Sequence, residues 1–295
     1  MKIFTEASGS LVSVALINSL KNADLYVIAS DIDQENVGGV LANKYLQVPR
    51  VNDPRLWKLT LDLLVENQVN LVLPSFDEML YGWSTKNDWL RKHNIELILS
   101  PINTIKTFSD KWHTYLAFLD SALPSPKTSL QQIYPMQKPR IGRGSKGIII
   151  TEDPVNMNNM ISQEIVKGTE LTVDCLFDLE GRPIYIVPRM RLKTVDGKSI
   201  VSEVIEHNDV EQYILNLSQK YHFIGPVNIQ CFVDNNNIWF IEVNPRVSGG
   251  MALSWAATEN WFKLWVDRIM VSKSFNSKPI KIGLKMYRYY AETFV

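Results

Sequence analysis

The stretch "IWFIEVNPRVSGG", residues 238–250, decides how this chain is read. Ile238, Trp239, Phe240, Ile241 and Val243 form a strongly apolar strand, yet that strand ends with a carboxylate, Glu242, and an amide, Asn244, two residues apart. Strand side chains alternate between faces, so the spacing predicts Glu242 and Asn244 on one face with Phe240, and Ile241 with Val243 on the other. Upstream, "VNIQCFVD" (227–234) sets Asn228 and Gln230 on one face and Ile229, Cys231 and Val233 on the other. The "DNNN" turn that follows makes the two runs a hairpin. With Gln230 opposite Glu242, Asn228 falls opposite Asn244 and Asp234 opposite Ile238, leaving a three-residue loop at 235–237. A slip of one residue would move Gln230 to the other face, so the loop length tests the pairing. The expected patch holds four oxygen-bearing side chains and one formal charge. Mg²⁺ takes hard oxygen ligands of this kind and completes its shell with phosphates and water, whereas the competing reading is a solvated polar face.

Working outward, 295 residues with 45% hydrophobic content suffice for two or three packed units. Lys plus Arg (31) balances Asp plus Glu (31), so no excess positive charge favours a nucleic acid or a membrane surface, and a small, locally recognised substrate is expected. No run approaches the roughly 18 apolar residues of a membrane span, and "MKIFTEASGS" shows no long apolar signal region, so the expected location is cytoplasmic. Cys175 and Cys231 lack C-x-x-C spacing and sit at inward strand positions, the pattern of free core thiols.

Residues 1–100 alternate short apolar runs with helical patterns: "KIFTEA", "LVSVALINSL", "LYVIASDID", "LWKLTLDLLVENQ", "VNLVLPSFD" and "IELILS". This rhythm predicts βαβ units and a Rossmann-like parallel sheet, with ligands beyond the strand ends after Thr5, Ser30 and Pro74. The first loop, "EASGSLVS", lacks G-x-G-x-x-G, which speaks against a nicotinamide-dependent oxidoreductase. Pro101 borders the next segment, and "FSDKWHTYLAFLDSALP" (108–124) reads as a helix with Ser109 as N-cap. Strands dominate thereafter, with one clear helix at "NDVEQYILNLSQKYH", so the remainder is α+β.

Within it, "KPRIGRGSKG" (138–147) packs three glycines and four cationic side chains into ten positions between two strands. Glycine lets backbone amides approach a polyphosphate while Lys and Arg neutralise it, so the segment reads as a hairpin lid over phosphates. It is no Walker sequence, because Ile148 follows Gly147 where that motif needs Lys. An ordinary basic turn would collect the same residues.

Taken in order, "FSDKWHTY", "KPRIGRGSKG", "SQEIVKGTELTVD" and "GPVNIQCF…IWFIEVNPRVSGG" resemble the ATP-grasp superfamily, most of all its carbamoyl-phosphate-synthase large-chain-like branch, over nearly the whole chain. The resemblance implies a Rossmann-like domain at 1–100, a small ATP-grasp subdomain with its glycine-rich lid at 101–165, and a C-terminal subdomain with the metal site at 166–295. It implies that Lys111 and Lys138 contact ATP phosphates and that Gly142, Arg143, Gly144, Ser145 and Gly147 close over them. The backbone of Glu164 and Val166 would meet adenine, and Glu170 the ribose. Gln230, Glu242 and Asn244 would hold Mg²⁺, or Mn²⁺ in its place, with Glu242 bridging two ions. Arg246, with Lys138, would neutralise charge as phosphoryl moves. The activity implied is an ADP-forming, ATP-dependent joining of a small carboxylate to an amine through an acyl phosphate, and dimers are common among such proteins. One synthetase half without an allosteric region makes carbamoyl phosphate an unexpected product.

For the acceptor, "IVPRMRLKT" places Arg189, Arg191 and Lys193 on one strand face, where one could fork onto a substrate carboxylate. Ser8, Gly9, Asp77 and Glu78 lie at strand ends of the first domain, and Ser248 and Gly249 adjoin the metal strand. "WSTKNDW" and "MYRYY" are expected in core or interface packing. The rival function is a nucleotide-binding regulatory protein on a degenerate ATP-grasp fold.

Overall fold

The structure, a computed structural model, describes residues 1–10, 12–144, 146–195, 198–235 and 237–295. Three sheets carry it. The first is wholly parallel, in the order β3-β2-β1-β4-β5, and comprises β1 (Lys2–Thr5), β2 (Tyr26–Asp31), β3 (Lys44–Gln47), β4 (Leu71–Leu73) and β5 (Glu96–Leu97). Helices α1 (Ser13–Lys21), α2 (Val37–Leu41), α3 (Leu56–Glu66), α4 (Asp77–Thr85) and α5 (Asn87–Lys92) connect its strands. Chain direction across the sheet reverses between β1 and β4, the place where such sheets leave a crevice at their carboxyl ends. The alternation of apolar runs predicted this sheet. It did not show β3, α4 or α5, whose residues alternate weakly and are half exposed.

Helices α6 (Ile102–Phe108) and α7 (Lys111–Asp120) lead into a small antiparallel sheet, β6 (Thr128–Ser129), β7 (Met136–Pro139), β8 (Ile149–Ile150) and β9 (Met160–Gln163), ordered β6-β9-β7-β8. The N-cap of α7 is Asp110, not Ser109: the Asp110 carboxylate accepts from Trp112 N at 2.8 Å, whereas Ser109 closes the end of α6. A carboxylate serves better there because it also pairs with Arg140, at 2.6 Å, and so ties the start of α7 to the end of β7.

The third sheet is antiparallel, ordered β14-β13-β10-β11-β12-β15, from β10 (Thr169–Phe177), β11 (Pro183–Val195), β12 (Lys198–Val204), β13 (Gly225–Asp234), β14 (Asn237–Asn244) and β15 (Lys285–Tyr287). Helix α8 (Asn208–Lys220) and α7 cover one face, burying Val173, Cys175, Ile229, Cys231, Phe240 and Val243 with Phe118, Ile214 and Leu217. Both cysteines are free and buried, and burial pushes the Cys231 thiol up to about 12. Helices α9 (Ala252–Ala257) and α10 (Trp261–Leu264), with the π turn Trp265–Ile269, pack on the first domain through Trp261 and Trp265. Trp83 is also wholly buried, while Tyr287, Tyr289 and Tyr290 of the "MYRYY" segment lie at the surface, Tyr289 at 82% exposure. No helix among the described residues is long and apolar enough to cross a membrane.

Candidate active site

Gln230 pairs with Glu242 and Asn228 with Asn244, as the alternation required. Beyond that point the register departs from expectation. A β-bulge at Ile241 lets Cys231 face Phe240, so Asp234 stands opposite Asn237, not Ile238. Asn236 lies outside the described residues. The inserted residue resets the alternation, so Phe240 shares the buried face with Val243 and Cys231, and Glu242 is turned away from it. The bulge therefore lets one strand bury Ile238, Phe240 and Val243 on one side and still present Glu242 and Asn244 on the other.

Glu242 and Asn244 line a cleft of about 100 Å³ with Lys111, Gly142, Arg143 and Asp77. Lys138 adjoins it from β7, almost fully buried, and donates to Gln163 Oε1 at 2.8 Å. Desolvation, with Lys111 nearby, pulls the Lys138 ammonium down to about 8, against the opposing pull of the Glu242 carboxylate. Lys111 Nζ donates to the Gly142 carbonyl at 2.7 Å, holding the segment after β7 to the start of α7. Two lysines near one carboxylate leave local positive charge, which suits an anionic ligand.

Arg143, in the glycine-rich segment after β7, is held by the first domain. Arg143 Nε donates to Glu78 Oε1 at 3.1 Å, and its guanidinium lies 4.8 Å from the Phe76 ring centre. Gly147 takes φ +76°, and a β-carbon there would meet Pro139 Cγ at 2.9 Å, so only glycine returns the chain to β8 without strain. Gly142 and Gly144 share the left-handed half of backbone space; Ser145 lies outside the described residues. Arg246 Nε and Nη2 donate to the two oxygens of Asp77 at 2.6 and 2.7 Å. Asp77 opens α4, which Glu6 positions from the end of β1 by accepting from Phe76 N at 3.2 Å and Trp83 Nε1 at 2.9 Å. Burial pushes the Glu6 carboxyl up to about 7.

The segment 164–168 links the small sheet to the large one. Glu164 N donates to Lys127 O at 3.0 Å and the Glu164 side chain accepts from Lys127 N. Among the described residues no hydrogen bond uses the Glu164 carbonyl or the Val166 amide, so both are available to a heteroaromatic edge. Glu170 is paired with Arg191.

The acceptor-side residues divide. Arg189 is 2% exposed and donates to Asp174 Oδ2 at 2.7 Å, and Asp174 also accepts from Asn228, Ser248 and Ser254. Gly250 permits this, because a β-carbon there would meet the Arg189 guanidinium at 2.5 Å. Lys193 does not share the face of Arg189 and Arg191. Arg191 stands opposite Ser202 and Lys193 opposite Val201, so a bulge at Leu192 turns Lys193 to the other side, where it is exposed. Ser8 donates to Asn36 Oδ1 at 2.8 Å, and Gly9 N donates to Asp31 Oδ2 at 2.8 Å, so both are engaged within the first domain. The Gly249 carbonyl accepts from Arg288.

Sequence reading missed Asp174, Gln163, Glu6 and Arg288. Asp174 had a signal: Glu170, Thr172 and Asp174 alternate with Leu171, Val173 and Cys175, a polar face on a strand that is otherwise core. Arg288 was hidden among aromatic residues.

A divalent ion shared with phosphates fits the donors present. Among the described residues neither the Gln230 nor the Glu242 side chain has a hydrogen-bond partner, and Asn244 Oδ1 only accepts a 3.4 Å contact from Arg246. One carboxylate flanked by amide oxygens is too weak for an all-protein cage, and no group of three or more His, Cys, Asp or Glu that could hold a metal occurs among the described residues. It matches Mg²⁺, which relies on substrate phosphates for the rest of its shell.

Comparison with known proteins bears on the fold. Residues 156–288 match the family described as ATP-grasp in the biosynthetic pathway with Ter operon. Among solved structures, N5-carboxyaminoimidazole synthetase from Staphylococcus aureus, complexed with ADP, is 14% identical, with TM-score 0.74, over 95% of this chain and 80% of that one. The biotin carboxylase domain of the Hydrogenobacter thermophilus 2-oxoglutarate carboxylase, a dimer with MgADP, ADP and bicarbonate, is 14% identical with TM-score 0.74, over 96% of this chain and 72% of that one. Pyruvate carboxylase from Rhizobium etli is 15% identical with TM-score 0.71 over 88% of this chain, which spans only 27% of that protein.

Proposed function

From its ATP-grasp fold and the charge arrangement of the cleft, we propose that this chain is an ATP- and Mg²⁺-dependent ligase that joins a small carboxylate to an amine, forming ADP. The observation that carries the reading is the meeting of Lys111, Lys138 and the Gln230–Glu242 pair at one cleft beneath a glycine-rich lid. Similar solved structures that bind ADP or MgADP support it.

In this reading Lys111 and Lys138 bind the nucleotide phosphates, and the lid from Gly142 to Gly147, with Arg143, closes over them and excludes water. The peptide at Glu164 and Val166 receives adenine. Glu170, which pairs with Arg191 on the strand beside that of Gln230, would reach the ribose. Gln230, Glu242 and Asn244 would hold Mg²⁺, which neutralises phosphate charge when bound. Phosphoryl transfer depends on positioning and on fixed charge, both of which rigid strand positions provide. Arg246 orients the carboxylate that attacks the terminal phosphorus and takes up the charge that spreads over the transferring group. The amine then attacks the acyl phosphate and releases phosphate, so no protein nucleophile is needed. Residues 1–100, 101–165 and 166–295 act as substrate domain, lid domain and metal domain.

A second reading, a nucleotide-binding regulator, draws on one observation: Asp77 already holds Arg246 with both oxygens. Purified protein incubated with ATP, Mg²⁺ and amino-acid pools, with ADP and phosphate followed and hydroxylamine added to trap an acyl phosphate as hydroxamate, separates the two. Nucleotide binding with no ADP or hydroxamate from any pool would favour the regulator.

A further inference from the structure

Arg189, Arg191 and Arg288 project from one face of the third sheet. Arg189 and Arg191 are two apart on β11, Arg191 stands opposite Ser202, and Ser202 stands opposite Met286. Arg288 lies two residues past Met286 and donates its amide to Ile200 O, so strand alternation returns it to the same face. Arg189 is matched by Asp174 and Arg191 by Glu170. Arg288 differs. Among the described residues no carboxylate pairs with it: Nη2 donates to the Gly249 carbonyl, and Nη1 is shut away from water with no acceptor at all. The Ser202 hydroxyl, on the same face, is likewise buried without a partner.

A half-buried cation without a counter-charge is costly, and native structures leave few buried donors such as its Nη1 without an acceptor. Burial, with Arg189 close by, holds the Arg288 guanidinium below its ordinary value. The same loop that Arg288 touches follows Arg246 directly. Gly249 is three residues beyond Arg246, so their backbones lie within roughly 11 Å, the scale of an amino acid rather than of a long chain.

We infer that Arg288 anchors a carboxylate of the second substrate, which makes that substrate a small α-amino acid or an amino-acid-like amine rather than ammonia or an uncharged amine. The inference rests on the ligase reading for the reaction but not for the binding site itself. One unmatched guanidinium balances one negative charge, and its planar fork fits a carboxylate. Ser202 supplies a further donor on the same face, and the amine end of the ligand is left to point along the loop toward Arg246.

The test is calorimetric titration of the protein, with and without MgADP, using the common L-amino acids and their carboxamides as probes, and inorganic phosphate as a separate arm. The expected result is that at least one free amino acid binds, that its carboxamide does not, and that Arg288→Gln weakens the free acid about a hundredfold, as for other truncated charge pairs. MgADP affinity should be unchanged in that variant, and Lys285→Ala, whose lysine pairs with Glu203, should behave as wild type. Equal binding of acid and carboxamide, binding of phosphate alone, binding of no amino acid, or wild-type affinity in Arg288→Gln would each overturn the inference. In wild-type protein, modification of Arg288 by phenylglyoxal, read by mass spectrometry, should be slowed by the bound amino acid; no protection would count against it whether or not the variant folds. Failure of MgADP to bind, with amino-acid binding intact, would sink the ligase reading and leave the anchor standing.

Discussion

Asp77 spans the Arg246 guanidinium with both carboxylate oxygens, at 2.6 and 2.7 Å, and so links the first domain to the loop that follows β14. The pair is only partly exposed, at 25% and 15% of the two side chains, so its attraction is less screened than that of a surface pair. Any anion that uses Arg246 must displace Asp77. Asp77→Asn should therefore tighten binding of MgADP with phosphate by about tenfold, the effect of an interaction near 1.4 kcal/mol. Calorimetry checks this, and unchanged affinity would mean that phosphate does not meet Arg246.

Glu242 is the single carboxylate among the predicted metal ligands, and its neighbours are amides. Glu242→Gln keeps the shape and removes the charge. Steady-state ADP release should fall by at least about a hundredfold, in line with the loss of one preorganised charge interaction. A wild-type rate would remove Glu242 from the mechanism.

Lys138 titrates near 8 in the free protein because it is desolvated and shares the cleft with Lys111. The sign follows from linkage. Below about 8 the ammonium is already charged and binds phosphate without proton uptake; above it, binding must take up a proton, so affinity should fall by up to tenfold per pH unit until the ligand-bound lysine also titrates. Lys138→Arg should flatten the profile measured between pH 7 and 9.5, because arginine stays charged throughout.

Asp174 accepts from Arg189, Asn228, Ser248 and Ser254 with no exposure to solvent. Asp174→Ala strands a buried guanidinium, and urea unfolding should show a loss of about 3–5 kcal/mol. By contrast Lys193→Ala, on the opposite face beyond the Leu192 bulge, should leave both stability and the Michaelis constant for the acceptor unchanged. An acceptor constant that rises several-fold would return Lys193 to the site.

Much of this arrangement was open to a reading of the chain alone. Period-two alternation determined the strands around Gln230, Glu242 and Asn244, because a register error would have placed polar groups in the core. The glycines and cations of 138–147 marked a segment suited to an anion, because few other residues allow that backbone and that charge together. Tertiary structure decided the rest. The bulges at Ile241 and Leu192 add one residue each and reverse every side chain beyond them, and local composition carries no mark of where a strand will bulge. Likewise the charge of a residue is written in its name, but whether it is cancelled is not. Arg189, Arg191 and Arg288 look alike in the chain; only folding brings Asp174 and Glu170 to the first two and leaves the third with a backbone carbonyl, since pairing depends on which strands become neighbours.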